Sequence, residues 1–204
     1  MAQHDGHLGA VYGASAPEQV AAAYDAWAET YDAEMARNGY RHPAIGLALM
    51  ARHLPRGAAP ILDAGVGTGL TGSWFGLLGW PEVEGIDISE GMLAMAARKG
   101  AYARLTRAVL GETLPFADGQ FAAVISTGVF TTGHVGAEAL PELMRITRPG
   151  GVLVLTVKET LWQGGFAQAL AAEPADLLEQ TVPYVSMPGD PATTPSLALA
   201  LRRR

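Results

Sequence analysis

An α/β fold, a mostly parallel seven-stranded sheet with an antiparallel last strand and helices on both faces, is what this sequence predicts. Three observations carry the prediction. After Pro55-Arg56-Gly57, short apolar runs alternate with helix-length segments, and such alternation builds a parallel sheet. The first of those runs enters a glycine-rich turn, in Pro60-Ile61-Leu62-Asp63-Ala64-Gly65-Val66-Gly67-Thr68-Gly69-Leu70. The last two runs have no helix-length segment between them, so one must lie antiparallel to its neighbours.

The elements follow in order. Residues 1–14, rich in Gly and His, read as a loose leader. Ser15-Ala16-Pro17-Glu18 reads as a helix start, with Ser as cap, Pro in the first turn and Glu three residues on. A helical stretch covers Val20–Tyr24. A second helix, over about 30–38, stops at Asn38-Gly39, and a third runs from His42 to Leu54 with Pro43 near its start. These make residues 15–54 a helical N-terminal cap on a single domain whose core is 58–204. Strand one covers about 60–64, followed by a helix near 69–78. Strand two is Val83–Ile88, and Ser89 caps a helix over about 90–99. Strand three is Arg104–Ala108. Strand four, Phe121–Ser126, follows the turn Ala117-Asp118-Gly119-Gln120. A helix over about 137–147 ends at Arg148-Pro149-Gly150-Gly151. Strand five is Val152–Val157, with a helix over 161–173 behind it. Strands near 181–187 and 196–201 close the chain.

Composition narrows the function classes. The 204 residues are 49% hydrophobic and 17% charged, which suits one folded domain. The net charge of −6 gives no long-range basic field, so no nucleic-acid partner is expected. The Arg202-Arg203-Arg204 end reads as a solvated tail. With no cysteine, disulfides, thiolate metal sites and cysteine nucleophiles are excluded. His4, His7, His42 and His53 have no metal-ligand spacing, and no metal is expected. No apolar run reaches membrane-spanning length and no secretory pattern opens the chain, so a cytoplasmic protein without a membrane partner is expected.

In an open α/β sheet, ligands bind at the carboxyl ends of the strands. Asp63 and the glycines at 65, 67 and 69 lie at the first such end, where glycine lets backbone approach a bulky ligand. The spacing departs from the dinucleotide fingerprint, because position 70 is Leu. Asp63 could equally be a turn residue bonding its own backbone. Asp87 ends strand two, where a carboxylate can accept both hydroxyls of a ribose; a helix-entry Asp favoured by the dipole is the alternative. Ile88 and Met92 would pack around a base, or be ordinary core.

Asp-x-Gly-x-Gly-x-Gly after an apolar strand resembles motif I of the class I S-adenosylmethionine (SAM)-dependent methyltransferases. Phe121-Ala122-Ala123-Val124 is similar to the fourth-strand motif, Leu114-Pro115-Phe116 to the loop before it, and Leu143 to Gly151 to the stretch before strand five. Tyr24-Asp25-x-Trp27-Ala28-x-x-Tyr31-Asp32, Gly39-Tyr40-Arg41-x-Pro43 and Gly133-His134-Val135 resemble a narrower group, the methyltransferase-like proteins related to the Williams–Beuren region methyltransferase. The resemblance implies a Rossmann-like fold, SAM as cofactor and S-adenosylhomocysteine as product. It implies cofactor contacts from Asp63, Gly65, Gly67, Gly69, Asp87, Ile88, Met92, Leu110, Gly111, Thr127, Tyr24 and Tyr31. Many relatives carry an acidic residue where this chain has Leu110, so adenine would rest on backbone near Leu110 and Gly111, or on Glu112.

Methyl transfer from a sulfonium needs alignment and exclusion of water, and a base only where the acceptor loses a proton. His134, beyond strand four, is the base candidate; it could instead bond backbone at a helix start. Lys158, after strand five, and Trp162 would contact substrate, although an exposed ion pair would also account for Lys158. Tyr24, Trp27, Tyr31 and Tyr40 could be core, or a lid over residues 15–41 in which Trp27 and Tyr40 touch substrate. The expected function is methylation of a small molecule. A methyltransferase of protein or RNA, a non-catalytic SAM-binding protein and a nicotinamide oxidoreductase stay open as alternatives, as does the oligomeric state.

Overall fold

A computed structural model describes residues 6–14, 16–131 and 135–204. Three helices come first: α1 (Gly6–Gly13), α2 (Pro17–Arg37) and α3 (His42–His53). The alternating part follows as β1 (Ile61–Ala64), α4 (Gly72–Leu78), β2 (Val83–Asp87), α5 (Glu90–Arg98), β3 (Arg104–Arg107), β4 (Phe121–Phe130), α6 (Leu140–Ile146) and β5 (Thr147–Lys158). The chain closes with α7 (Glu159–Leu161), a π-helical stretch over Trp162–Phe166, α8 (Ala167–Ala172), β6 (Ala175–Gln180), β7 (Tyr184–Val185) and β8 (Pro195–Arg203).

The sheet runs in the order β3-β2-β1-β4-β5-β8-β6, with the short β7 also pairing β8. β1 to β5 pair in parallel. The last strand, β8, is antiparallel to both β5 and β6, as the missing crossover helix requires. β1 pairs β2 on one side and β4 on the other, so the chain reverses direction across the sheet there. This is the switch point at which an open α/β sheet parts its loops and leaves a crevice.

Strand periodicity divides the core. Leu62, Val124, Leu153 and Leu155 pack in the cluster that holds α6 and Phe166. Their neighbours Ile61, Ala123, Ile125, Val152 and Val154 pack on the other face with Leu47, Met50, Phe75 and Trp80. Alternate side chains of a strand point to opposite faces, so both faces of this sheet are covered. A third cluster, with Val11, Trp27, Met35, Met92 and Met187, brings the N-terminal helices onto α5 and the segment before β8.

Several boundaries depart from expectation. Residues 6–13 are helical, with Val11 fully buried, where the sequence reads as a loose leader. Ser15, the expected cap, lies outside the described residues, and Ala16 at the N-cap makes no side-chain bond. The two expected helices of the cap are one. Ala21, Tyr24, Trp27, Ala28, Tyr31 and Met35 recur at helical spacing across the polar stretch between them and hold one helix together. It ends where predicted, with Gly39 in the left-handed region at φ 67°. Ser89 caps α5 as predicted, accepting the Met92 N–H at 3.0 Å. The helix expected over 161–173 breaks at Gly165, whose φ of 119° a helix cannot carry. The strand expected near 181–187 is present only as the two-residue β7, next to Pro183, which has no N–H to give to a ladder, and an unexpected strand, Ala175–Gln180, precedes it.

Candidate active site

At the β1/β4 switch point lies a cavity of about 180 Å³. Its floor is Gly65 and Gly67 of the turn after β1, Ile86 and Asp87 of β2, and Thr127 and Gly128 of β4. Ile88, Met92, Val109 and Leu110 form one wall. Tyr24, Tyr31 and Tyr40 of the N-terminal segment close the other. The described residues thus gather ten of the predicted contacts at one place.

The three glycines of the turn do different things. All have positive φ, which L side chains avoid. A Cβ on Gly65 would sit 2.2 Å from Cγ2 of Val129, so this glycine is demanded by β4. A Cβ on Gly69 would press on Tyr102 and Ala96 at 3.0 and 3.3 Å. Around Gly67 it would meet no atom within 4 Å, and Gly67 borders the cavity. Packing by itself demands glycine at 65 and 69, whereas no protein contact demands it at 67; Gly65 and Gly67 both line the cavity and Gly69 does not.

Asp87 joins the parts of this floor. Oδ2 accepts the Gly67 N–H at 2.8 Å and Oδ1 accepts the Ser89 N–H at 2.9 Å. Burial raises its pKa, while those backbone bonds hold it down. Asp63 faces elsewhere. It is 1% exposed, and Oδ2 accepts from the Thr71 and Tyr102 hydroxyls, the latter at 2.8 Å. Burial pushes its pKa up to about 6 against those bonds. It touches only a side pocket of about 30 Å³, shared with Tyr31, Tyr40 and Gly65.

The aromatic segment is packed and polar at once. Trp27, 2% exposed, stacks on Tyr24 at 6.2 Å and meets Tyr31 edge-on at 4.8 Å. Its Nε1 donates to Glu34 at 2.9 Å. The Tyr31 and Tyr40 hydroxyls are hydrogen-bonded to each other, and burial raises the pKa of both. Tyr40 reaches the floor because position 128 is glycine: a Cβ there would fall 2.0 Å from its hydroxyl.

Two aspartates of α2, singled out by no sequence expectation, fasten the segment down. Asp25 accepts from the Ser89 hydroxyl at 2.6 Å and the Gly91 N–H at 2.8 Å, at the start of α5. Asp32 accepts from the Thr68 hydroxyl in the glycine turn and from Lys99 at 2.6 Å. Each follows a tyrosine that faces the cavity. The repeated Tyr-Asp pair, seven residues apart and so on one helix face, was the available signal.

Behind the tyrosines lies a compartment of about 40 Å³, lined by Tyr24, Tyr31, Tyr40 and Gly128 together with Trp27, His42 and Lys158. Lys158 is 5% exposed, which removes the exposed ion pair as its explanation. Besides Asp63 and Gly69, Gly111 and Trp162 line neither cavity. Gly111 packs beside Glu138. Trp162, partly buried, packs against the main core beside Phe166. His134 lies outside the described residues. Among the described residues no group of three His, Asp or Glu side chains could hold a metal, and no helix is long and apolar enough to cross a membrane.

Known proteins resemble this arrangement. Residues 62–155 match the model of a methyltransferase domain. Human methyltransferase-like protein 27 is 38% identical over 160 residues, which cover 77% of this chain and 64% of that protein. A demethylmenaquinone methyltransferase of Parafrankia sp. is 37% identical over 162 residues, 68% of this chain and 62% of that one. The chain therefore spans under two thirds of these curated relatives. A TehB-like SAM-dependent methyltransferase from Corynebacterium glutamicum shares the fold, with a TM-score of 0.66 at 22% identity over 90% of this chain and 99% of that one.

Proposed function

We propose that this chain is a class I SAM-dependent methyltransferase and that it methylates a small molecule at an oxygen, nitrogen or sulfur atom. The methyltransferase-domain match, the similarity to methyltransferase-like protein 27 and the shared fold support this reading. The cofactor, SAM, supplies a methyl group on a positively charged sulfur that already activates it for in-line displacement.

The cavity fits that cofactor. The space beside Gly67 is open where a Cβ would stand, so backbone can lie against a ligand. Asp87 accepts from the backbone N–H groups of Gly67, Ser89 and Ile88, and its two oxygens, with about four acceptor sites, keep capacity for a ribose hydroxyl. Ile88, Met92 and Leu110 offer an apolar slot for adenine. Tyr24, Tyr31 and Tyr40 close over the reactive end and exclude water, as such a displacement requires. His134 stays the candidate for a proton-accepting group if the acceptor must lose a proton.

The observation that carries the small-molecule reading is the aromatic cover. Tyr24, Tyr31 and Tyr40 wall both the main cavity and the compartment behind it, so the space they bound is a small concave pocket, which suits a small acceptor. One relative is named for demethylmenaquinone, an acceptor that is neither protein nor RNA. Incubation with methyl-labelled SAM and a fractionated metabolite extract tests the reading. Label in a low-molecular-mass fraction supports it; label recovered only in protein or RNA overturns it.

A further inference from the structure

We propose that the compartment behind the tyrosines receives the methyl acceptor and that the acceptor is a carboxylate-bearing molecule, anchored by the ammonium of Lys158. The inference rests on the methyltransferase reading above and adds the acceptor's chemical class.

Position comes first. Lys158 ends β5, beside β4 at the switch point, and the compartment shares Tyr24, Tyr31, Tyr40 and Gly128 with the main cavity. A group held there therefore lies next to the cofactor cavity and under the same aromatic cover. Asp63 and the glycine turn do not line this compartment; they border the main cavity or another side pocket, which leaves the compartment for a second molecule.

Charge comes second. The Lys158 Nζ donates to the Thr194 carbonyl at 2.8 Å. An ammonium has three donors, so this bond leaves capacity for an anion. Asp190 favours its charge without lining the compartment. Burial pulls its pKa down to about 8, so the cation still predominates at neutral pH. No Asp or Glu lines the compartment among the described residues, whereas Tyr12, Thr131 and Ser186 add hydroxyls. A buried cation among hydroxyls complements an acceptor-only group, which an ionised carboxylate is. His42 is held neutral, its pKa driven down to about 3 by burial and by Lys158, and so brings no second charge.

Size comes third. One water needs roughly 10–15 Å³ of such space, so about 40 Å³ admits about three heavy atoms, the count in a carboxylate. The rest of the acceptor would extend into the main cavity.

The experiment titrates acetate and propionate, with acetamide and propionamide as neutral controls, into protein saturated with S-adenosylhomocysteine, following amide NMR shifts at residues 128, 131 and 158. The carboxylates should bind, the amides should not, and Lys158→Met should weaken carboxylate binding at least tenfold while Lys158→Arg retains part of it. S-adenosylhomocysteine affinity should stay within twofold in both variants. Failure of the wild-type protein to prefer carboxylate over amide overturns the inference, and that arm holds even if a variant does not fold. If Lys158→Met loses S-adenosylhomocysteine affinity but keeps that for 5′-methylthioadenosine, which lacks the amino-acid part, the lysine serves the cofactor's carboxylate and the inference is overturned. Absence of S-adenosylhomocysteine binding to wild-type protein would instead remove the methyltransferase reading itself.

Discussion

The Gly67 N–H donates to Oδ2 of Asp87 at 2.8 Å, so the glycine turn after β1 and the end of β2 form one rigid edge of the cavity. The bond lets a single carboxylate shape the turn and still face a ligand. Removing that carboxylate should act mainly on the ligand. A charge-assisted bond to a ribose hydroxyl is worth about 1.5–3 kcal/mol. We predict that Asp87→Ala weakens SAM binding at least tenfold, since 1.4 kcal/mol is a factor of about ten, with the fold retained by circular dichroism. Unchanged affinity in calorimetry would reduce Asp87 to an organiser of the turn and the α5 start.

The turn glycines should separate by substitution. A Cβ at position 67 meets no atom within 4 Å, so the folding cost of Gly67→Val is mainly that of a side chain at φ 54°, about 1–2 kcal/mol, while the residue borders the cavity. Gly65→Val drives its Cβ into Val129 and should destabilise more, with or without ligand. Thermal melts with and without S-adenosylhomocysteine check both. If Gly67→Val melts as low as Gly65→Val and still shows the wild-type ligand shift, Gly67 is a structural residue only.

The aspartates of α2 should govern how firmly the N-terminal segment closes. Asp25 supplies α5 with cap bonds from a neighbouring helix, and losing a cap costs about 0.5–2 kcal/mol. Hydrogen exchange on residues 16–41 should slow when S-adenosylhomocysteine is added to wild-type protein. Asp25→Ala should exchange faster than wild type in the absence of ligand. Identical protection in all these states would make the segment fixed packing with no role in closure.

How much of this was legible in the sequence depended on the reach of each signal. The glycine turn, Asp87 and Ser89 act within a strand–turn–helix unit, and local spacing was enough to place them. Tyr24 and Tyr31 were legible as a pair because they share one face of α2, whereas Tyr40 lies in the loop after it. The partners of Asp25 and Asp32 lie on α5 and in the glycine turn, more than thirty residues away, and no periodicity encodes them. Helix α1 was missed because three of its eight residues are glycine, which argues against a helix locally; its buried Val11 packs against Trp27 and Met35, and tertiary contact decides. Trp162 was expected at the site, yet it packs beside Phe166 against the main core, a tertiary contact that local spacing does not encode.

Stability should carry a signature of Asp63. Its pKa is raised from 3.8 to about 6 in the fold, so the folded protein holds this proton more tightly than the unfolded chain. The stability so contributed is complete below about pH 4 and is lost as pH rises through about 6. By linkage it amounts to roughly 3 kcal/mol. Urea unfolding of wild type and Asp63→Asn between pH 4 and 8 should show wild type losing stability relative to the variant across that window. A constant difference would mean that Asp63 ionises normally.

The central claim is that the cavity at the β1/β4 switch point is built for SAM. Calorimetric titration of the protein with SAM, S-adenosylhomocysteine and NAD tests it most directly. The account predicts one binding site for SAM and for S-adenosylhomocysteine and no heat of binding for NAD. Binding of NAD without binding of SAM would contradict it.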